Sequence, residues 1–425
     1  MIDIKSFGAK GDGANDDTLA IQKAINECAK EKKQLFISKG TYKIGTIHLK
    51  SNTHLVLEEG AVLSGIESLD AYSANEAMFI DAVGCLRGKA LVIVYKAKNV
   101  IIEGKGTITG NGSNVQAEND RPFLVRIAES EKVTIRDVKL MNSISWCLHI
   151  FKSQKVTVEK ITLYNRGCPN NDGIDIDSSK EIQIESCNLS CGDDAICIKT
   201  TSDRPTSDVY VSDCTISSDW AAFKIGTESV GNINNITIKD SEFYDVIGGA
   251  IKIVPTDGAV VEHVKIKNLT MKNCTGPIFI ANGERNREYA GVKSECPSRI
   301  RNIEIDGIEA DVVPAPFRGY YDGEEWGNAI GGVILSGTMK NKLENIRLSN
   351  MKLSLPGGFQ GPIQYQVREM ETMYPEFHRF DPVPAKGIYI RHARNVSYEN
   401  IEISYKKEDI RQEVYTDDVE GEDKL

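Results

Sequence analysis

From Gln34 onward, short runs of the chain place apolar residues at every second position: Leu35-Phe36-Ile37, Tyr42-Lys43-Ile44 and Leu55-Val56-Leu57. A period of two predicts strands with one buried face. A helical pattern precedes them. Residues 6–17 are turn-rich, and Asn15, Asp16 or Asp17 can cap a helix. Leu19, Ile21, Ile25 and Cys28 then give the segment from Thr18 to Lys30 an apolar stripe. One amphipathic helix ahead of a β chain predicts a lid over an open core end, inside an N-terminal cap spanning residues 1–45.

One phrase then recurs. It reads Lys132-Val-Thr-Ile-Arg-Asp-Val138, Lys155-Val-Thr-Val-Glu-Lys-Ile161, Glu181-Ile-Gln-Ile-Glu-Ser-Cys187, Asp208-Val-Tyr-Val-Ser-Asp-Cys214, Asn235-Ile-Thr-Ile-Lys-Asp-Ser241 and His263-Val-Lys-Ile-Lys-Asn-Leu269, with later copies from Asn302, Asn345 and Asn395. Successive copies start 23, 26, 27, 27 and 28 residues apart, and then 39, 43 and 50. A period in the twenties, built of strands without helices, predicts a single-stranded right-handed parallel β-helix. A β-sandwich would not repeat one phrase at one period. The expected organisation is one all-β solenoid domain over 1–425, with a loose charged tail over 406–425. The longer spacings imply loops near 282–299, 314–330 and 354–386. These carry Asn282, Arg285, Arg287, Tyr320, Tyr321, Trp326, Tyr374, His378 and Arg379. Long loops on one side of a solenoid build or narrow a binding face.

Two coils carry acids. Asp172 is followed by Gly173-Ile-Asp-Ile-Asp177, and Asp194, 22 residues later, by Ala195-Ile-Cys-Ile-Lys199. If 22 residues make one coil, Asp172 stacks on Asp194 at about 4.8 Å, with Asp193 beside them.

Composition narrows the classes. The 425 residues are 40% hydrophobic and carry a net charge of −10, which argues against general nucleic-acid binding. No apolar run is long enough to span a membrane. The N-terminus lacks the basic and apolar regions of a leader, so the expected compartment is the cytoplasm for a full-length chain, or outside the cell if a leader was removed. Cys187, Cys214 and Ser241 recur at 27-residue steps. That pattern favours small residues stacked in a coil over disulfides. The six histidines are scattered and none accompanies a CxxC pair, so no Cys/His metal site is expected, and no cofactor. The segment from Gly106 to Gly112 lacks the lysine and helix of a phosphate loop.

At the acidic stretch the chain resembles the polygalacturonase family, glycoside hydrolase family 28, of the pectate lyase-like superfamily. Phe7-Gly-Ala-Lys-Gly-Asp-Gly13, Asp16-Asp-Thr18 and Lys39-Gly-Thr-Tyr42 resemble its N-terminal cap. Asn170-Asn-Asp-Gly173 resembles its Asn-Thr-Asp motif, and Gly192-Asp-Asp194 its Asp-Asp motif. The resemblance implies that Asp193 is the general acid, that Asp172 and Asp194 activate the attacking water, and that the anomeric centre is inverted. The implied substrate is a pectin-derived, uronate-containing oligosaccharide or polysaccharide. Inverting hydrolysis needs one protonated and one ionised carboxyl group with room for water, and crowded carboxylates titrate apart. The bland reading of such acids is an Asn/Asp ladder capping turns, which suffices for Asp175 and Asp177.

Two family motifs are altered. Where Gly-His-Gly is expected stands Trp220-Ala-Ala-Phe-Lys-Ile-Gly-Thr-Glu-Ser229, and aligning its inward Phe223 and Ile225 puts Ala221 in the histidine's place. Where Arg-Ile-Lys is expected stands Gly248-Gly-Ala-Ile-Lys-Ile-Val254. Matching Ile251 and Ile253 puts Lys252 at the arginine, whereas a register two residues earlier puts it at the lysine. Lys224 stacks on Lys252, with Lys199 close by. Like-charged neighbours of this kind should straddle anions: the Asp cluster, Glu228 or a bound carboxylate. The expected substrate-binding set is Asn170, Lys199, Lys224, Glu228, Lys252, Asn282 and Arg285. Changed recognition points to a rhamnogalacturonan fragment or another modified oligosaccharide, and the loops over 282–386 to exo cleavage. Two other classes stay open. One is a lyase with Lys224 or Lys252 as base and Ca²⁺ on the carboxylates; the other is a non-catalytic carbohydrate-binding solenoid.

Overall fold

The computed structural model describes every residue except 82, 83, 116–119, 317, 318, 322, 323, 327, 328 and 425, and the side chains of all but these and 75, 76, 319–321, 324–326 and 422–424. The chain forms two compact units, Met1–Cys197 with Val209–Cys214 and Ile198–Asp208 with Thr215–Leu425. Each is a stack of parallel strands, and the fold class is the single-stranded right-handed parallel β-helix that the repeat predicts.

In the first unit, strand Lys98–Gly104 pairs with Glu131–Arg136, which pairs with Gln154–Glu159 and in turn with Lys180–Glu185. The register stacks Val100, Val133, Val156 and Ile182 in one row, and Ile102, Ile135, Val158 and Ile184 in another. All eight side chains are fully buried. Burying each contributes about 1.5–3 kcal/mol, so rows of like residues hold the register of the coils. The helix Thr18–Glu31 packs on Ile47–Leu49 through Ile21, Ala24, Ile25, Cys28 and Ala29. Leu19, expected in this stripe, is 85% exposed. It lies on the outer face of the helix, two positions before Ile21.

Each repeat phrase is one face between two corners. Its first residue is left-handed in every copy, with φ of 58° at Lys132, 56° at Lys155, 57° at Glu181, 55° at Asp208 and 54° at Asn235. Its sixth residue is left-handed too: Asp137, Lys160, Ser186, Asp213 and Asp240 have φ between 49° and 62°. Asn and Asp tolerate this conformation best among residues with a side chain, and they hold five of these ten corners. The ten cysteines are free thiols. Cys187 and Cys214 donate to the backbone oxygen two residues earlier, as Ser241 does in the second unit.

In the second unit, strand Phe223–Ser229 pairs with Ile251–Pro255, which continues to Ile278–Ala281, Val333–Ser336 and Ala385–Lys407. Lys224 and Lys252 stack in register, and the same row continues as Phe279, Ile334 and Tyr389. This row faces out of the coil, yet it is buried. The segment after Gly357 lays Met370, Phe377, Phe380 and Val383 over Phe279, Ile334 and Tyr389 as a second apolar core. The loose tail is a correction: Gln412–Lys424 is a strand paired in parallel with Ala385–Lys407. Its charges pair with those of earlier coils: Lys342 with Asp418 at 2.7 Å and Arg394 with Glu420 at 3.0 Å.

Candidate active site

The Asn170-Asn-Asp-Gly173 turn is built by amides. Asn165 Nδ2 donates to the carbonyls of Asp172 (2.8 Å) and Ser145 (3.0 Å), while its Oδ1 accepts from Ser143 N. Asn171 Nδ2 donates to Asn165 Oδ1 and the Ser143 carbonyl, and its Oδ1 accepts from Cys168 N. Gly173 permits close approach of the next coil: a Cβ there would collide with the Ala195 carbonyl oxygen and Cys191 Sγ. Gly173 N donates to Asp194 O and Ile174 N to Ala195 O, each at 2.9 Å, so Asp172 stacks on Asp194 as the 22-residue spacing predicts. Asp194 N donates to Asp193 Oδ1 at 2.9 Å. Asp172 and Asp194 are each 3% exposed, and Asp193 is half-buried.

Each of these three carboxylates offers an oxygen within 4.8 Å of the others'. Two acceptors sharing one water, with hydrogen bonds of ~2.8 Å and a tetrahedral angle, stand about 4.5 Å apart. Oxygens within 4.8 Å of one another are close enough to share a single water. The cluster also has the donor spacing for a hard cation.

Sequence reasoning missed Arg121. It is 7% exposed and donates to Asn170 Oδ1 (2.5 Å), to the Ile144 carbonyl and to the Pro169 carbonyl. Burial lowers its pKa and Arg87 adds to that, while Asp172 and Asp81 act in the opposite sense. Asn170, expected to contact substrate, thus has its side-chain oxygen engaged in holding the turn. No periodicity links Arg121 to residues 48 and 49 positions away.

The second unit holds the other expected residues, and each has an internal partner. Lys199 lies 3.8 Å from Glu228, both nearly buried. Lys252, fully buried, donates to Glu376 Oε2 at 2.5 Å beneath the Trp220 ring. Glu376 Oε1 also accepts from Trp220 Nε1 at 3.2 Å. Lys224 donates to the Tyr374 hydroxyl at 3.0 Å. Arg285 grips Asp257 with two nitrogens, at 3.0 and 2.5 Å, and also donates to Thr227 and Tyr289. Burial, the largest single influence, lowers its pKa, but the bonds to Asp257 together with the charges of Tyr289, Asp257 and Glu228 raise it overall. Asn282 donates to the Asn341 carbonyl at 3.1 Å. Arg285 and Asn282 therefore anchor the loop after Ala281. Glu376 and Tyr374 carried no sequence signal as partners of the lysines. The side chains of Tyr320, Tyr321 and Trp326 lie outside the described ones.

The family model described as "Glycosyl hydrolases family 28" matches residues 28–351. A probable polygalacturonase of Vitis vinifera is 28% identical over 295 residues, which cover 63% of this chain and 60% of that protein. An endo-polygalacturonase of Pectobacterium parmentieri is 26% identical over 306 residues, 65% of this chain and 74% of that one. The matched part spans only 60% to 61% of the length of the first three curated relatives. Among solved structures, the family 28 exopolygalacturonase of Yersinia enterocolitica superposes with a TM-score of 0.76 at 16% identity, over 99% of this chain and 77% of that chain, a likeness of fold. The family match covers most of the chain and includes both Asp motifs, so the chain belongs to the glycosyl hydrolases of family 28.

Proposed function

We propose that the chain hydrolyses an α-glycosidic bond of a pectin-derived, uronate-containing oligosaccharide with inversion at the anomeric carbon. The observation that carries this reading is the trio of carboxylate oxygens of Asp172, Asp193 and Asp194 within 4.8 Å, in a family 28 chain. Asp193, the most open of the three, gives its proton to the glycosidic oxygen as the C1–O bond breaks. A water held by Asp172 and Asp194 attacks C1 from the opposite face and leaves its proton on one of them. The carboxyls of inverting glycosidases usually stand about 6.5–9.5 Å apart. Here the water takes its place by bridging a pair of acids rather than by filling the gap between acid and base.

The donor spacing of the acids keeps a Ca²⁺-dependent lyase as the second reading. Against it, Lys252 is taken up by Glu376. The test is product analysis on oligogalacturonides, rhamnogalacturonan fragments and neutral α-linked oligosaccharides, with wild type and Asp193→Asn. Saturated products of inverted anomeric configuration, from wild type alone, are expected. An unsaturated, ultraviolet-absorbing product lost on adding chelator would establish the lyase instead.

A further inference from the structure

The outer wall of the second unit holds a cavity of about 340 Å³ built largely of charge. Arg299, Arg301, Lys340, Lys342 and Arg394 line it, with Glu344 as the acid among the lining residues. The chain as a whole carries −10, so five cations around one hollow run against its own balance. Pockets for small molecules start at roughly 300 Å³, so this one suits one or two sugar rings.

The coils set its floor in register. Glu262, Arg301, Glu344, Arg394 and Glu420 follow one another along one row, so acids and bases alternate from strand to strand. Arg301 donates from Nε to Glu262 at 2.7 Å, and Arg394 from Nε to Glu420 at 3.0 Å. Neither uses its terminal nitrogens among the described residues. Each acid therefore fixes its arginine by the side edge and leaves the Nη pair for a ligand. Lys342 is held by Asp418 and Glu420, at 2.7 and 2.8 Å. Arg299 and Lys340 are exposed and make no ion pair among the described residues. Exposed ion pairs add little to stability, so stability does not account for the array.

The wall that carries Lys340 is fixed in advance. Its turn is closed by Thr338 N on the Asn341 carbonyl and by Asn341 N on Thr338 Oγ1, both at 3.0 Å. Asn341 Nδ2 donates to Glu284 Oε1 at 2.9 Å, and Asn282 Nδ2 to the Asn341 carbonyl at 3.1 Å, which ties the turn to the loop after Ala281. Cations placed before a ligand arrives lower the cost of binding it. Guanidinium groups suit a carboxylate, which takes two N–H bonds side by side.

We propose that this cavity is a second carbohydrate site, which binds the carboxylates of a uronate oligosaccharide without cleaving it. The lining offers one carboxyl group where glycoside hydrolysis needs two. The proposal rests on the hydrolase reading for its choice of anion.

Met339 lines the same cavity and is 63% exposed, which makes its methyl group a reporter. The whole chain, carrying Asp193→Asn so that no sugar is consumed, is labelled with ¹³C at the methionine methyls. It is titrated with trigalacturonate, with neutral galactotriose and with inorganic phosphate, and Met339→Leu assigns the signal. Trigalacturonate is expected to shift the Met339 signal saturably, and galactotriose to leave it in place. Arg299→Gln combined with Lys340→Gln, checked for folding by a melting curve, should weaken trigalacturonate by ~10-fold or more. Added sodium chloride should weaken it as well. The inference is overturned if trigalacturonate leaves Met339 unmoved, if galactotriose moves it equally, or if neither the double variant nor salt weakens binding. Phosphate bound as tightly as trigalacturonate would also overturn it, by showing a site for small anions. Hydrolysis of oligogalacturonides by wild type with no shift at Met339 would end this site and leave the hydrolase reading standing. A shift without hydrolysis by wild type would do the reverse.

Discussion

Asp193 and Asp257 sit in coils of the same kind and serve opposite ends. In the first unit three acids are gathered against one another, with oxygens within 4.8 Å. In the second, acids are distributed one to a cation: Asp257 takes both prongs of Arg285, the Tyr289 hydroxyl at 2.6 Å and Arg287 N at 3.0 Å. Gathering like charges raises the energy of the folded state. Pairing opposite charges fixes loops. The difference teaches that a buried acid in this fold must be judged by its company, because the coil accommodates both arrangements without changing its strands.

The same substitution in the two places should separate them. Asp193→Asn is expected to lower kcat by ~10³-fold, the usual contribution of a general acid, and to leave the melting temperature unchanged or raise it. Asp257→Asn is expected to cost about 3–5 kcal/mol of stability, because it leaves Arg285 charged and buried with half its partner. Denaturant melts read the second effect, and turnover on the substrate found in the product panel reads the first. If Asp193→Asn destabilised as much as Asp257→Asn, the gathered acids would be structural and the contrast would collapse.

Much of this contrast was legible in the sequence, for a physical reason. A coil forces the residues that stack to recur at the coil's period, so the 22-residue spacing exposed Asp172 above Asp194. The alternation of Phe223 and Ile225 with Ile251 and Ile253 likewise exposed Lys224 beside Lys252. The partners that arrive from outside the period were not legible. Glu376 reaches Lys252 across 124 residues and Tyr374 reaches Lys224 across 150, both from a segment with no strand pattern of its own. Arg121 reaches Asn170 in the same way within the first unit. Gln412–Lys424 was misread because its charges, which pair with Lys342 and Arg394, resemble those of a free tail.

A smaller effect tests how dry the covered face of the second unit is. Burial lowers His378 to about 3, with Lys252 and Arg379 adding repulsion. The folded pKa of this base lies below its ordinary 6.5, so between those values the unfolded chain holds a proton that the folded chain refuses. Stability from this group is therefore present above pH 6.5 and declines as pH falls toward 3. Across that window the melting temperature of wild type should fall more steeply on acidification than that of His378→Gln, since the glutamine has no proton to gain. Parallel curves would mean that water reaches the ring and that the segment after Gly357 covers the face only loosely.

The smallest effect concerns the exposed ladder along the corners of the second unit. Asn400 Nδ2 donates to Asn350 Oδ1 at 2.7 Å, and Asn400 itself is left-handed with φ of 50°. Two contributions are mixed there: the rung, and tolerance of the backbone angle. Asn400→Ala removes both and is expected to cost about 1 kcal/mol, since the rung is solvated and the angle strains an alanine. Asn400→Gly removes the rung and keeps the angle, so it should recover most of that loss. Equal losses for Ala and Gly would assign the stabilisation to the rung, and exposed pairing would then matter nearly as much as the buried pairing around Asp257. Recovery by Gly would leave the corner angle as the reason for the asparagine and confine strong polar pairing to the buried loops of the second unit.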